Sequence, residues 1–425
     1  MRETTITLPT LHPDQVKAYQ YKSRHKAIRC GRRWGKTALA VVIVVNDVIR
    51  GKSVGWFVPQ YKILSEAYRE LADLLHPLIV SASKIEGVIR LNTGGRIDFW
   101  SLENERAGRS RKYHTIIIDE AAFAGPNMIE IWERAIEPTL VDYRGSAWAL
   151  STPNGDDPKN FFWKVCNEPK LGFVEYYAPS SNNPYLPPSE IEHMKQIKHP
   201  LVFAQEYLAK FIDFSGDSLF LKESLLVNGE PLPYPRRCEQ VFATMDTAVK
   251  SGLQHDATAV VYWAYDRFNA APLKILDYDI VRIDGYLLES WVPRVFARVE
   301  ELARECGAVL GPDGVIIEDK QTGSVLLQQA LSRGWPARPV ESKMTALGKS
   351  ERAIASSNYV FQGLIKITQH AHDKIVRFDD SDRNHLLSQI ARFRVGDKSN
   401  AAAADDLFDC FCFGILTALG NSDGY

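Results

Sequence analysis

The sequence predicts an α/β protein of two domains, and three observations predict it. Strand and helix signals alternate through the first half of the chain. A glycine-bearing turn, Gly31-Arg32-Arg33-Trp34-Gly35-Lys36-Thr37, sits between a strand signal and a helix signal. The second half starts afresh, with three strands followed by helix, strand, helix, strand and helix. At 425 residues the chain can bury two or three separate cores.

Taken in order, residues 25–29 read as a short strand that feeds the turn, and residues 38–50, apolar and free of breakers, read as the helix after it. Residues 54–58 are a second strand, stopped by Pro59. Residues 88–91 and 97–101 flank Asn92-Thr93-Gly94-Gly95, a hairpin signal. Ile116-Ile117-Ile118 suits a central strand covered on both faces, and it ends in Asp119-Glu120. Residues 147–150 form another strand, ending in Ser151-Thr152-Pro153. Strands separated by helices imply a mostly parallel sheet with its ligand at the carboxyl ends of the strands. A proline-rich loop occupies 179–188, and a helical stretch with Gln205-Glu206-Tyr207 leads to Phe211.

The expected division is 1–215, a linker at 216–235 that would serve as a hinge, and 236–425. Beyond it, strands are expected at 241–246, 258–264 and 273–278, with Asp266-Arg267-Phe268-Asn269 turning a hairpin. A helix near 285–305, a strand at 315–318, a helix at 324–333 and a short strand near Val340 follow. The last helix, 405–419, is apolar nearly all round and so belongs inside. That order is the order of a ribonuclease H-like fold.

Composition excludes several classes. Hydrophobic residues make up 45% and charged residues 24%, which is ordinary for a globular protein. The longest apolar run, 38–45, falls far short of the roughly 18 residues of a membrane span. The N-terminus lacks the basic-then-apolar pattern of a signal peptide, so no membrane partner is expected. Six cysteines form no C-x-x-C pair, against a zinc ribbon or disulfide framework and in keeping with a reducing cytoplasm. Net charge is −1, but residues 1–215 carry 28 basic and 24 acidic side chains. Any DNA contact must therefore come from local basic patches.

The turn and the acid-ended strand together read as an ATP-hydrolysing site of the P-loop, ASCE type. Backbone N–H groups around Gly31–Thr37 face phosphate, Lys36 reaches the β- and γ-phosphates, and Thr37 holds Mg²⁺. Asp119 completes the Mg²⁺ shell and Glu120 orients the attacking water. The usual spacing puts a glycine where Cys30 stands. Arg32 or Arg33 can act on the γ-phosphate in cis. Arg106, Arg109, Arg111 and Lys112 form a basic stretch: either a solvated loop or, through Arg109, an arginine finger for a neighbouring subunit, an effect of roughly 10³–10⁵ in rate. Ser151 and Thr152 either sense loss of the γ-phosphate or cap a turn. Gln15 is a candidate reader of the adenine edge.

In the second half, carboxylates recur where strand ends meet. Asp246 ends the first strand, Glu318 and Asp319 end a later one, and Asp405, Asp406 and Asp409 open the last helix. Asp406 and Asp409 share a helix face. Strand alternation lets only one of Glu318 and Asp319 face the Asp246 side, and Glu318 is favoured. Asp256 is read as ordering the first hairpin. Such a cluster suits two Mg²⁺ or Mn²⁺ ions about 4 Å apart, clamping both oxygens of a phosphodiester displacement.

Gly31–Thr37, Ile118-Asp119-Glu120-Ala121-Ala122, Ser151-Thr152-Pro153, Gln205-Glu206-Tyr207 with Phe211, and the acids Asp246, Glu318 and Asp406 occur in that order. In this the chain resembles the large terminase subunit of tailed bacteriophages, over about residues 11–420. The resemblance implies an ATPase that drives double-stranded DNA into a procapsid and an endonuclease that cuts the concatemer. It implies a homo-oligomeric ring of five subunits on the portal, built from chains that can be monomers in isolation. It also implies a small terminase subunit as partner and the host cytoplasm as the place of work. A helicase-nuclease of DNA repair and a nucleotide-gated, non-catalytic DNA-binding component are the competing readings.

Overall fold

The computed structural model describes residues 5–214, 219–247, 257–282, 285–319, 322–395 and 405–420. They fall into two compact units, Met1–Lys195 with Pro200–Asp213, and Gln196–His199 with Phe214–Tyr425.

The first unit is built on an eight-stranded sheet of β1 (His25–Cys30), β2 (Ser53–Val58), β3 (Ile79–Ser83), β4 (Val88–Leu91), β5 (Arg96–Ser101), β6 (Thr115–Asp119), β7 (Ser146–Ser151) and β8 (Phe173–Ala178). The spatial order is β3-β4-β5-β2-β6-β7-β1-β8. Every pairing from β5 through to β8 is parallel, while β3, β4 and β5 meander antiparallel at one edge. Parallel strands need crossovers. The helices Lys36–Val48, Tyr61–Leu75 and Phe161–Asn167 follow β1, β2 and β7 and supply cover. Alternate residues of β6 point to opposite faces, so Ile117 joins one apolar layer with Ile28, Val41 and Trp56, and Ile116 and Ile118 join the other with Trp132 and Phe162. β7 separates the strand that feeds the glycine turn from the strand that carries the acid pair. Arg29 pairs with Ser151, and Asp119 with Leu150, so the three strand ends finish side by side.

The second unit has a six-stranded sheet of β9 (Gln240–Thr247), β10 (Thr258–Tyr265), β11 (Leu273–Val281), β12 (Pro312–Ile317), β13 (Ala337–Pro339) and β14 (Ile365–Ile367), with β15 (Val376–Phe378) and β16 (Ser381–Arg383) as a separate pair. The order is β13-β12-β9-β10-β11-β14. β9, β10 and β11 are antiparallel, β12 runs parallel to β9 and β13, and β14 adds itself parallel to β11. Without β14 this is the ribonuclease H-like arrangement. The helix Gly285–Glu305 packs on the face carrying Ala243, Met245 and Tyr262. The last helix, Asp406–Leu419, takes the opposite face. There Trp263 Nε1 donates to Thr244 Oγ1 (2.9 Å), which donates to the Cys410 carbonyl (2.9 Å). Gly414 permits that approach, since a Cβ there would overlap the Trp263 indole.

One expectation changes. Residues 219–235, read as linker from their prolines, pack into the second unit. Phe220 is buried against Phe408 and Phe411, and Leu232 bridges to Thr368. The prolines break regular structure without freeing the chain from the core. Residues 215–218 and Asp256 lie outside the described residues.

Candidate active sites

The glycine turn leaves β1 at Cys30 and enters the helix Lys36–Val48 through Gly35, whose φ of 101° needs a residue without Cβ. Gly31 is required for a different reason. A Cβ there would lie 2.6 Å from the Tyr207 carbonyl and 2.7 Å from the Ser180 amide. The backbone is pinned on that side: Gly31 N–H donates to Ala178 (3.0 Å) and Arg32 N–H to Glu206 (2.7 Å). The helix beyond begins with N–H groups that have no acceptor inside the helix, at the positive end of its dipole, which is an anion site.

Lys36 is buried and lies back across this turn. Its Nζ donates to Thr152 Oγ1 (2.8 Å) and to the carbonyls of Cys30 (3.2 Å) and Gly31 (3.3 Å). Thr37 is exposed at the mouth. Trp34 is buried, its Nε1 donating to Asp14 Oδ2 (3.0 Å). Gln15 braces the turn from the helix Pro13–Gln20: Nε2 donates to the Gly35 carbonyl (2.8 Å) and Oε1 accepts from His12 N–H (2.8 Å). Arg33 is exposed with φ 62°, and Arg32 reaches Glu206 at 3.4 Å.

Asp119 ends β6 almost wholly buried. Burial first, and the neighbouring Glu120 carboxylate second, push its carboxyl up to about 7. Glu120 turns away at φ 51° and accepts from Ser151 Oγ (3.3 Å). Two adjacent residues at the end of β7 therefore touch the two chemically distinct ends of the site, Thr152 the lysine and Ser151 the glutamate. Sequence reading singled out this pair but not its contacts, which span 116 and 31 residues of chain.

Arg109 is exposed between β5 and β6. It lines a cleft of about 230 Å³ with Glu105, Arg106, Asn127, Glu130 and Arg134. Arg111 and Lys112 lean instead on Asp98 (3.9 Å) and Asp142 (3.1 Å).

In the second unit Asp246 lies near the end of β9, on the sheet face that Thr244 shares with the last helix. Glu318 follows β12 directly, its N–H donating to the Met245 carbonyl (3.2 Å), and its side chain is buried. Asp319 is exposed and accepts from Ser324 Oγ at the start of the helix Thr322–Arg333. The three helix acids part company. Asp405 is ion-paired with Lys349, and Asp409 accepts from Lys349 (2.8 Å) and Arg352 (2.7 Å). Asp406 keeps a buried Oδ2 with no hydrogen-bond partner. Burial and then Asp405 push Asp406 up to about 7. Asp246 is held well above the ordinary carboxylate range by burial and by Asp409, Asp406 and Glu318, with Lys349 opposing.

Among the described residues no three such side chains are gathered closely enough to hold a metal ion as they stand. Their chemistry nonetheless fits a hard divalent cation: every donor is a carboxylate oxygen, the charges repel one another, and one buried oxygen is unpartnered.

No protein-family model and no curated protein sequence matches this chain. Solved structures do. The large terminase of a thermophilic bacteriophage superimposes with a TM-score of 0.64 at 11% identity, over 97% of this chain and 100% of that one. The same protein in complex with ADP gives 0.62 at 12%, over 96% and 99%. In complex with ATP-gamma-S it gives 0.62 at 12%, over 95% and 98%. Both units of the chain therefore have the large-terminase fold, in a single polypeptide of matching length.

Proposed function

We propose that this chain is the large terminase subunit of a tailed bacteriophage, an ATPase that drives double-stranded DNA into a procapsid and an endonuclease that cuts it. The observation that carries the reading is the link from Lys36 through Thr152 and Ser151 to Glu120, at the ends of three adjacent parallel strands. It joins a phosphate-binding lysine to a water-orienting carboxylate, in a chain that shares its fold over nearly its whole length with a terminase that binds ADP.

In this reading Lys36 leaves its three oxygen partners for the β- and γ-phosphates. Thr37 and Asp119 would hold Mg²⁺, which would supply neutralisation of phosphate charge. Glu120, aimed by Ser151, orients water. Arg109 reaches a neighbouring subunit's site, which makes firing in a ring sequential. Asp246, Glu318 and Asp406 would supply the oxygens that hold Mg²⁺ or Mn²⁺ in the nuclease, and such ions would supply Lewis-acid activation of a phosphodiester. Asp409, neutralised by Lys349 and Arg352, holds the last helix to the helix Lys349–Phe361 and is a weaker ligand candidate. DNA is gripped through its phosphates, because a motor must ignore sequence. The portal, a small terminase subunit, a five-membered ring and the host cytoplasm complete the proposal.

The test is DNA-stimulated ATP hydrolysis and plasmid cleavage with two variants. Lys36→Ala should end hydrolysis and spare Mn²⁺-dependent nicking, and Asp246→Asn should do the reverse. Loss of both activities in each variant would contradict two separable sites.

A further inference from the structure

A row of unmatched cations lies at the end of the first sheet opposite the glycine turn. β2, β6, β7 and β1 are parallel neighbours, so the four chain segments that enter them line up along one edge. Neighbouring strands lie about 4.8 Å apart, so the row is roughly 14 Å long between its outer strands. Its exposed cations are Arg50 before β2, Lys112 before β6, Arg144 before β7, and Lys22 and Arg24 before β1. Two acids of these segments are taken: Asp47 holds Lys52 (2.6 Å) and Asp142 holds Lys112 (3.1 Å). Glu137 stands upstream of the β7 segment. Lys22, Arg24, Arg50 and Arg144 are left with no carboxylate partner among the described residues.

The row is held in place, and it is not purely ionic. Asp47 also accepts from Thr115 Oγ1 (2.6 Å), which fixes the Arg50 turn against β6. His114 N–H donates to the Ser53 carbonyl (2.9 Å), and Ser53 N–H donates to His114 Nδ1 (3.2 Å). The imidazole so fixed stacks face to face on Tyr143, with ring centroids 3.8 Å apart. Arg24 Nε donates to the Gly145 carbonyl (2.8 Å). Among these groups Val141 is 68% exposed, Tyr143 47% and Ile49 37%.

That mixture says what fits. Nucleic-acid phosphates would use the cations and leave Val141 and Ile49 in water. One face of the Tyr143 ring is already covered by His114. Tyrosine and arginine around exposed apolar side chains are the composition of a protein interface. The guanidinium fork matches a carboxylate, and side chains ordered before binding cost less to dock.

We propose that this edge docks an acidic protein surface, whose carboxylates pair with Arg24, Arg50 and Arg144 and whose apolar side chains sit on Ile49, Val141 and Tyr143. The dock lies at the far end of β7 from Ser151 and Thr152, roughly 20 Å away. A partner held there leaves the nucleotide site open, and the proposal stands whether or not the glycine turn hydrolyses ATP.

Fluorescence anisotropy of the full-length protein with three labelled probes tests this: polyglutamate, a random glutamate–tyrosine copolymer of similar length, and a DNA duplex in EDTA. The copolymer should bind more tightly than polyglutamate. Arg50→Glu combined with Arg144→Glu should weaken the copolymer by about tenfold or more and leave the duplex within about twofold. Val141→Asp should remove the copolymer's advantage over polyglutamate. Arg50→Lys combined with Arg144→Lys should keep most of the binding, and a loss as large as that of the charge reversal would mark damage to the loops and overturn the reading. Copolymer binding unmoved by charge reversal overturns the dock. So does an equal loss of the duplex, which would make the edge a nucleic-acid surface. Sedimentation velocity decides on a second copy of this chain: self-association of the parent that charge reversal abolishes would overturn a foreign partner.

Discussion

Replacing Asp119 by asparagine should stabilise the nucleotide-free protein while ending its use as an ATPase. Asp119 is 3% exposed, and burial with the Glu120 charge raises its carboxyl from 3.8 to about 7. The unfolded chain ionises this group near its ordinary value, so the folded protein bears a cost that the unfolded chain does not. Below pH 3.8 both states are neutral and the cost is absent. It grows as pH rises and is complete above about 7. A carboxyl raised by about three pH units, at about 1.36 kcal/mol for each, costs the folded state about 4 kcal/mol at pH 8. Asparagine is never charged and keeps an oxygen for the Glu120 N–H, which Asp119 Oδ1 now accepts at 3.1 Å. Urea unfolding in EDTA, followed by tryptophan fluorescence, reads the difference, with the relevant transition identified by its response to ADP. The variant should gain a few kcal/mol at pH 8 and nothing near pH 4, and it should fail to hydrolyse ATP with Mg²⁺. A variant no more stable at pH 8, or a gain that ignores pH, would refute the argument.

Two further outcomes follow from the same geometry. Arg109→Ala subunits mixed with Lys36→Ala subunits should recover some ATP hydrolysis, because each lacks what the other supplies across a subunit edge. Flat inactivity in the mixture, under conditions where the parent assembles, counts against a finger in trans. Lys349→Met removes the ammonium that favours the ionised form of Asp246. Asp246 then ionises only at higher pH, so the acid limb of the cleavage–pH profile should move upward, and an unmoved limb would take Lys349 out of the carboxylate field.

What the sequence made legible was local. A strand, a turn with two glycines and a helix are contiguous, so the placement of Lys36 follows from adjacent residues. Three isoleucines before Asp119 announce a strand buried on both faces, and all five residues of β6 are buried. What stayed hidden depends on distant partners. β8 lies at the sheet edge with only its end residues, Phe173 and Ala178, buried and Val174 and Tyr177 on the surface, so it shows neither a buried run nor an alternation. β14 has three residues and exists because β11 offers it an edge. Residues 219–235 carry the prolines of a linker, yet Phe220 finds two aromatic rings on the last helix. The hydrogen bond from Asn183 Nδ2 to the Arg33 carbonyl in the turn crosses 150 residues of chain, and no periodicity announces it.

The acids of the last helix show why spacing alone stops short of an assignment. By sequence, Asp405, Asp406 and Asp409 are nearly equivalent, since each would favour a helix N-terminus and none is marked as a ligand. The difference lies in which cation each one has. Lys349 and Arg352, far back along the chain, neutralise Asp409, and Lys349 takes Asp405. Asp406 is left with an unpartnered buried oxygen, in the field that also raises Asp246. Glu318 and Asp319 divide in the same way: one is buried beside Met245, the other exposed and accepting from Ser324. Burial and the surrounding carboxylates hold both Asp246 and Asp406 above the ordinary carboxylate range, so a proton or a metal ion is favoured there. Protons and divalent cations compete for the same few oxygens, so the repulsion that raises these carboxyls is also what makes the site receptive to an ion.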